Sequence, residues 1–327
     1  MPYEKFDRSK LKLLPLSERI SDVDISIMAD INAPGDGFYH PSLAKLAEAV
    51  REAKRKKAAV IMMCGAHVIR QGVAPYIINL MREGFITQFS TNGAGAIHDF
   101  EFAMAGKTCE SVAKYISEGQ FGLWAETGKI NDALVSGAAE GIGAGEAIGK
   151  YIVLNDFPHA ETSVLAQAYK MKIPATVHIG VGSDITHEHP NFDGAAAGAA
   201  SYTDFLIYAR TAQNLEGGVF MNFGSAVAGP EVYLKCLAMA RNAARGEGKK
   251  ITDFTTAVFD LLELPDGGFE TTPEKTEAAL VACIPKGRLS ASHHYLIHHG
   301  RRVCHARRPE CGICVVSAVC LYHSKVL

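Results

Sequence analysis

Two periodicities alternate along this chain, and the alternation restricts its fold more than any other feature. Pro41 to Lys57 places Leu43, Leu46, Ala47 and Val50 on one helical face, and Ala58 to Met63 follows as an unbroken apolar run of strand length. The pair predicts a helix feeding a buried strand. Further helix patterns at 73–82, 162–171, 202–214 and from Pro230, with others opening near Thr108 and Thr127, interleave with short apolar runs at 85–90, 174–179, 218–223 and 255–261. Continuous apolar strands are buried on both faces, so the predicted fold is α/β: a Rossmann-like, doubly wound parallel sheet with right-handed crossovers and helices on both sides. A chain of 327 residues, 48% hydrophobic and 21% charged, has room for that domain and one small module.

Ligands of such a sheet bind beyond the carboxyl ends of its strands. The residues expected there are Cys64-Gly65-Ala66-His67 after the first strand and Thr91-Asn92-Gly93-Ala94-Gly95 after the second, running on to His98 and Asp99. Gly180 to Asp184 follow the third strand and Gly224-Ser225-Ala226 the fourth. Glycine lets a ligand approach the backbone, and amides at a helix start bind phosphate. Any one of these glycines reads equally well as a turn residue, but together they argue for a nucleotide-sized site. Gly141-x-Gly143-x-Gly145 imitates a dinucleotide fingerprint, yet it follows helical sequence instead of a strand and is read as helix packing. His178, His187 and His189 flank Asp184 and Glu188, an arrangement open to a metal and also to ordinary solvated or hydrogen-bonded loop histidines. Trp124 is read as core or interface packing.

Near the end of the chain, Cys304, Cys311, Cys314 and Cys320 form a C-x6-C-x2-C-x5-C array. Four thiolates are the ligand set of a [4Fe–4S] cluster or a tetrahedral zinc site, and the lopsided spacing departs from the paired C-x2-C knuckles of structural zinc. Cys64, Cys109, Cys236 and Cys283 lie far apart in apolar surroundings and read as small hydrophobes. The net charge of −2 gives no global attraction to nucleic acid, so basic surface has to be local, as at Arg301, Arg302, Arg307 and Arg308. The first twenty residues carry scattered charges, and no apolar run approaches the ~18 residues a membrane helix needs. The expected location is cytoplasmic.

The segments GAHVIRQGVAP, STNGAGAIHDFE, ETSVLAQAYKMKIPATVHIGVGSD and GGVFMNFGSAVAGPE, with KKITDFTTAVFDL, resemble the deoxyhypusine synthase family, in particular its bacterial deoxyhypusine synthase-like branch. The resemblance assigns residues 1–265 to that domain. It implies NAD as cofactor, a homotetramer with sites between subunits, and NAD-dependent oxidation of spermidine with aminobutyl transfer through a lysine imine. By position it implies that Gly65, His67, Asn92, Gly93, Ala94, Gly95, Gly224 and Ser225 hold NAD, that Asp99 holds the ribose hydroxyls, and that Asp184 and His187 are the catalytic candidates. Residues 271–327, including HHYLIHHGRRVCHARRPECGICVVSAVC, are similar to the iron–sulfur tail of endonuclease III-type DNA glycosylases. That similarity implies a [4Fe–4S] cluster on the four cysteines and weak, non-specific DNA contact through Arg307 and Arg308.

Each resemblance is incomplete. After Leu262 no Trp-Gly-Lys segment supplies the synthase lysine, the nearest lysines being Lys275 and Lys286, and Gly229 stands near the place of a family histidine. The tail is preceded by no LPGVG-like hairpin for glycosylase chemistry. Three readings follow: an NAD-dependent enzyme acting on spermidine or another amine, a non-catalytic nucleotide-binding homologue, and an iron–sulfur DNA-binding protein without glycosylase activity.

Overall fold

The computed structural model describes residues 3–33 and 40–259, all within the compact unit Met1–Leu261. In chain order the main elements are β1 (Ser21–Asp24), α1 (Pro41–Lys56), β2 (Val60–Cys64), α2 (Ala66–Arg70), α3 (Ala74–Arg82), β3 (Gln88–Asn92), α4 (Gly93–Ala105), β4 (Lys107–Glu110) and α5 (Val112–Glu118). They continue with α6 (Lys129–Glu140), α7 (Ala144–Leu154), α8 (Val164–Met171), β5 (Ala175–His178), α9 (Gly194–Ala212), β6 (Val219–Phe223), α10 (Ala228–Gly246) and β7 (Thr255–Phe259). The predicted α/β class stands. A five-stranded sheet runs in the order β5-β3-β2-β6-β7, and every pairing in it is parallel. β1 and β4 form a separate antiparallel ribbon.

The alternation of side chains along the strands feeds two cores. Val60, Met62, Cys64, Phe89, Val177 and Val219 share one cluster with Phe100, Ile148 and Leu165 of α4, α7 and α8. Ile61, Met63 and Phe220 pack instead with Tyr208 of α9 and Cys236 and Leu237 of α10. Each fully buried aliphatic or aromatic side chain contributes roughly 1.5–3 kcal/mol to the folded state. Helix limits follow local chemistry: α1 starts on His40 and Pro41 and stops where Lys57 turns left-handed at φ 56°.

Three sequence expectations change. Residues 93–99, expected as a strand-end loop, are already helical, because the Asn92 side chain accepts the Gly95 amide at 3.0 Å and starts α4 at once. The helix expected from Thr108 begins at Val112, since Thr108 pairs with Val23 in the ribbon. Helix α9 starts eight residues before the expected Tyr202, where Asp193 accepts the amides of Ala195 and Ala196.

Candidate functional site

The order in which the chain adds strands reverses between β2 and β6, which run parallel, so the loops after these strands lie side by side at the carboxyl edge. This switch point is where open parallel sheets receive ligands. Gly65 donates its amide to Phe223 O at 2.9 Å, and Gly224 donates to Phe259 O at 2.8 Å, while the Phe223 and Phe259 rings stack at 4.1 Å. A Cβ on Gly65 would overlap the Gly224 carbonyl, so the two loops meet only because neither carries a side chain there. Helix α2 begins on Gly65 with no side-chain cap, leaving its first amides open beside the exposed His67.

Helix α4 starts next to this crevice and is closed by a residue from the β5–α9 loop. Ala94 donates its amide to the Asp184 carboxylate, and Gly93 packs against Asp184 Oδ2 so tightly that a Cβ would overlap it. The Asp184 side chain is only 7% exposed, Oδ2 has no hydrogen-bond partner, and burial pushes the carboxyl up to about 6. His187 Nδ1 accepts the amides of Gly182 at 3.0 Å and Asp184 at 3.2 Å, which places the ring proton on Nε2, 3.7 Å from Asp184 Oδ2. The two catalytic candidates are therefore a His–Asp pair at the start of α4.

Asp99 does not reach the crevice. It lies two turns into α4, 2% exposed, and accepts Ser163 Oγ at 2.5 Å and the amides of Val164 and Leu165 at 2.7 and 3.2 Å. It is the anion at the N-terminus of α8, which corrects its expected contact with ribose. Ser225, 5% exposed, holds the Gly229 amide at 2.9 Å and opens α10. His178 is buried at the end of β5 against Tyr208, with Nε2 3.1 Å from Thr176 Oγ1, and burial lowers its pKa to about 4. His189 Nε2 lies 2.8 Å from the Gly122 carbonyl, and no group of three or more His, Cys, Asp or Glu side chains among the described residues is placed to hold a metal.

Asp204 carried no signal in the sequence. It is fully buried in α9 and accepts the amides of Gly145 at 2.9 Å and Val177 at 2.7 Å, tying the start of α7 to β5. Gly143 and Gly145 face that carboxylate and the Ala175 carbonyl, so the glycine run serves packing. Trp124 is 1% exposed, donates to Glu110 Oε2 at 2.8 Å and packs edge-on to Tyr115, the expected core role. Cys304, Cys311, Cys314 and Cys320, with Arg307 and Arg308, lie outside the described residues.

The buried pair has a pH signature. Asp184 holds its proton to about pH 6 when folded but only to about pH 4 when unfolded, so its contribution to stability is lost as pH rises through 6. The buried His98 and His178, lowered to about 4, oppose this only below about pH 6.5, where the unfolded chain begins to protonate them. As pH falls from 7 to 5, the urea midpoint of the wild-type chain is expected to rise relative to that of Asp184→Asn. Equal slopes in the two proteins would assign the effect elsewhere.

Residues 44–138, spanning α1 to α6, match the family described as arginine dihydrolase ArgZ-like, C-terminal, Rossmann fold. Residues 304–320, bounded by the first and last cysteines of the array, match the iron–sulfur binding domain of endonuclease III. Endonuclease III of Rickettsia conorii is 44% identical over 52 residues, and that of Escherichia coli K12 is 42% identical over 53, in each case 16% of this chain and 25% of the relative. The chain thus spans about a quarter of the curated relatives it matches. Among solved structures, apo ArgZ, a cyanobacterial arginine dihydrolase of the ornithine–ammonia cycle, aligns over 76% of this chain and 33% of its own at 15% identity, TM-score 0.42. AgrE in ternary complex with ornithine and NAD+ aligns over 61% and 26% at 14% identity, TM-score 0.36. A protein of Entamoeba histolytica assigned as a deoxyhypusine synthase aligns over 64% and 89% at 9% identity, TM-score 0.37. The chain therefore joins a Rossmann-like domain with an ArgZ-like segment to an endonuclease III-type iron–sulfur segment. Among the described residues no helix is long and apolar enough to cross a membrane.

Proposed function

We propose that this chain binds NAD at the Gly65–Gly224 switch point and oxidises a small amine, spermidine or a relative of it. The observation that carries the reading is the reversal of strand order there, with two side-chain-free loops in contact and an uncapped helix start above them. The ArgZ-like Rossmann match covers the β2 and β3 half of the same crevice and supports it. Of the expected set, Gly65, His67 and Gly224 would hold the dinucleotide; Asp184 closes off Gly93 and takes the Ala94 amide, Asn92 takes the Gly95 amide, Ser225 is buried against Gly229, and Asp99 does not reach the crevice. When bound, NAD supplies the acceptor for a hydride from the carbon beside an amine nitrogen.

The chain supplies the rest. Ionised Asp184 attracts a cationic amine, and the pairing of Asp184 with His187 Nε2 gives the site a place to hold or pass one proton. No lysine occurs in the strand-end segments 64–67, 91–95, 179–188 or 223–227, so covalent transfer through a lysine imine is not part of the proposal. In the same reading Cys304, Cys311, Cys314 and Cys320 hold a [4Fe–4S] cluster that staples the tail, and the protein acts in the cytoplasm as a homotetramer. Arg307 and Arg308 would add weak DNA contact.

Gly65→Ala tests the site. Separating the two loops is expected to cost on the order of 1–3 kcal/mol, about tenfold or more in NAD affinity by calorimetric titration. Anaerobically purified protein given NAD and spermidine should form NADH. A wild-type chain with no NAD affinity would sink the proposal, and binding without NADH formation would favour a nucleotide-binding homologue that has lost the chemistry.

A further inference from the structure

Every crossover of the doubly wound sheet returns a helix to the amino edge, opposite the crevice. Each of the five strand entrances there carries an exposed cation: Lys172 before β5, Arg82 before β3, Lys57 before β2, Arg210 before β6 and Lys250 before β7. Taken in sheet order they make a row whose strand starts span about 19 Å at ~4.8 Å per strand, the cations lying three to nine residues ahead of those starts in the chain. Helix dipoles favour a cation at a helix C-terminus, which accounts for one such residue at a time. They do not account for the absence of ion pairs.

Among the described residues none of the five is ion-paired with a carboxylate; Arg210 donates to the neutral Gln213 side chain at 2.6 Å and attracts the Glu247 carboxylate from beyond ion-pair distance. The acids of this edge are mostly engaged elsewhere. Glu52 pairs with Arg55 and Lys56, Glu247 with Lys249, and Glu216 accepts the amides of Thr252 and Asp253 at 2.6 and 3.1 Å. Glu83 and Asp253 offset part of the charge. An open groove of about 530 Å3 runs between Lys57 and Arg210 over Ala59 and Thr87. Among the described residues none of the large exposed apolar side chains lies between one of the five cations and the strand it precedes, so these segments lack the aromatic and aliphatic anchors on which protein interfaces depend. An extended row of cations held in no ion pair, with no enclosing pocket, suits a polyanion whose charges are spaced along a line.

We propose that the amino edge of the sheet is a nucleic-acid-binding face, in which Lys172, Arg82, Lys57, Arg210 and Lys250 hold backbone phosphates without reading bases. It lies at the opposite edge of the sheet from the crevice, uses none of the tail's residues, and does not rest on the dinucleotide reading.

The test titrates the full-length, anaerobically purified protein into a fluorescein-labelled 20-base-pair DNA duplex at several salt concentrations. The double variant Lys57→Glu/Arg210→Glu is expected to bind about tenfold more weakly, with the slope of log K against log salt flattened by roughly two. Arg82→Glu/Lys250→Glu, at other points of the row, should lose a comparable amount and decides the matter if circular dichroism shows the first variant unfolded. Arg307→Ala/Arg308→Ala should retain the part of the affinity that the row supplies. Wild-type affinity in both row variants, or a loss confined to the tail variant, would overturn the proposal. Polyglutamate competing as well as unlabelled duplex at equal charge would overturn nucleic acid as the partner.

Discussion

Glu101→Ala is expected to destabilise the protein by about 3–5 kcal/mol, because it strands a buried guanidinium. Arg19 donates to Glu101 through Nη1 at 2.7 Å and Nη2 at 2.8 Å, with the side chains 1% and 2% exposed. Thr108 and Thr127 donate their hydroxyls to the same carboxylate at 2.8 and 2.6 Å. Removing the carboxylate leaves a permanent positive charge and two hydroxyls without that acceptor in a region water does not enter. Arg19 belongs to the N-terminal segment and Glu101 to α4, so the pair is one of the ties of that segment to the domain, beside the β1–β4 ribbon and the hydrogen bonds of Leu14, Leu16 and Ile20. Replacing both residues, as in Arg19→Met/Glu101→Leu, should recover most of the loss, since well-packed apolar side chains substitute for a buried ion pair. Urea denaturation measures both effects. A loss below about 1 kcal/mol in the single variant would mean that the N-terminal segment shifts and returns Arg19 to water.

Gly145→Ala is expected to cost about 3 kcal/mol while leaving NAD affinity unchanged. Its Cβ would overlap the Ala175 carbonyl, which is backbone of β5 and cannot swing aside, and its amide is already committed to Asp204 at 2.9 Å. Gly141→Ala offers the contrast. That residue sits at φ 73° with nothing near its missing Cβ, so the cost is the backbone term alone, about 1–2 kcal/mol. The comparison separates packing from ligand binding. Loss of NAD affinity with stability retained in Gly145→Ala would return the glycine run to the role of a phosphate loop.

The sheet was legible in the sequence because its strands are short apolar runs, and the spacing of helices between them dictates parallel pairing. Helix α4 was not, because its opening Gly-Ala-Gly-Ala has little apolar periodicity. The small residues there answer to Asp184 and Thr91, which crowd Gly93 and Gly95 from outside the helix. The beginning of α9, GAAAGAAS, hides for the same reason. At the site, glycines after strands pointed correctly to the edge of the sheet, since a strand-end glycine is a local signal. The partners of the aspartates were invisible. Asp99 on α8, Asp184 on α4 and Asp204 on α7 each stabilise the start of a helix distant in sequence, and nothing in their neighbours along the chain distinguishes them from a ribose ligand, a catalytic base or a surface charge.

The position of β2 at the centre of the sheet has a consequence for how the chain is made. It is the first strand of the sheet to be synthesised, and its two neighbours arrive at very different times: β3 soon after, β6 only once β5 and α9 are complete. The pairing of Val60 with Val219 closes a loop of most of the domain and carries the matching entropic cost, whereas β2, β3 and β5 can align over shorter spans. A nascent chain halted before Val219 would hold half a sheet in register, with one wall of the cleft built and the other not yet translated.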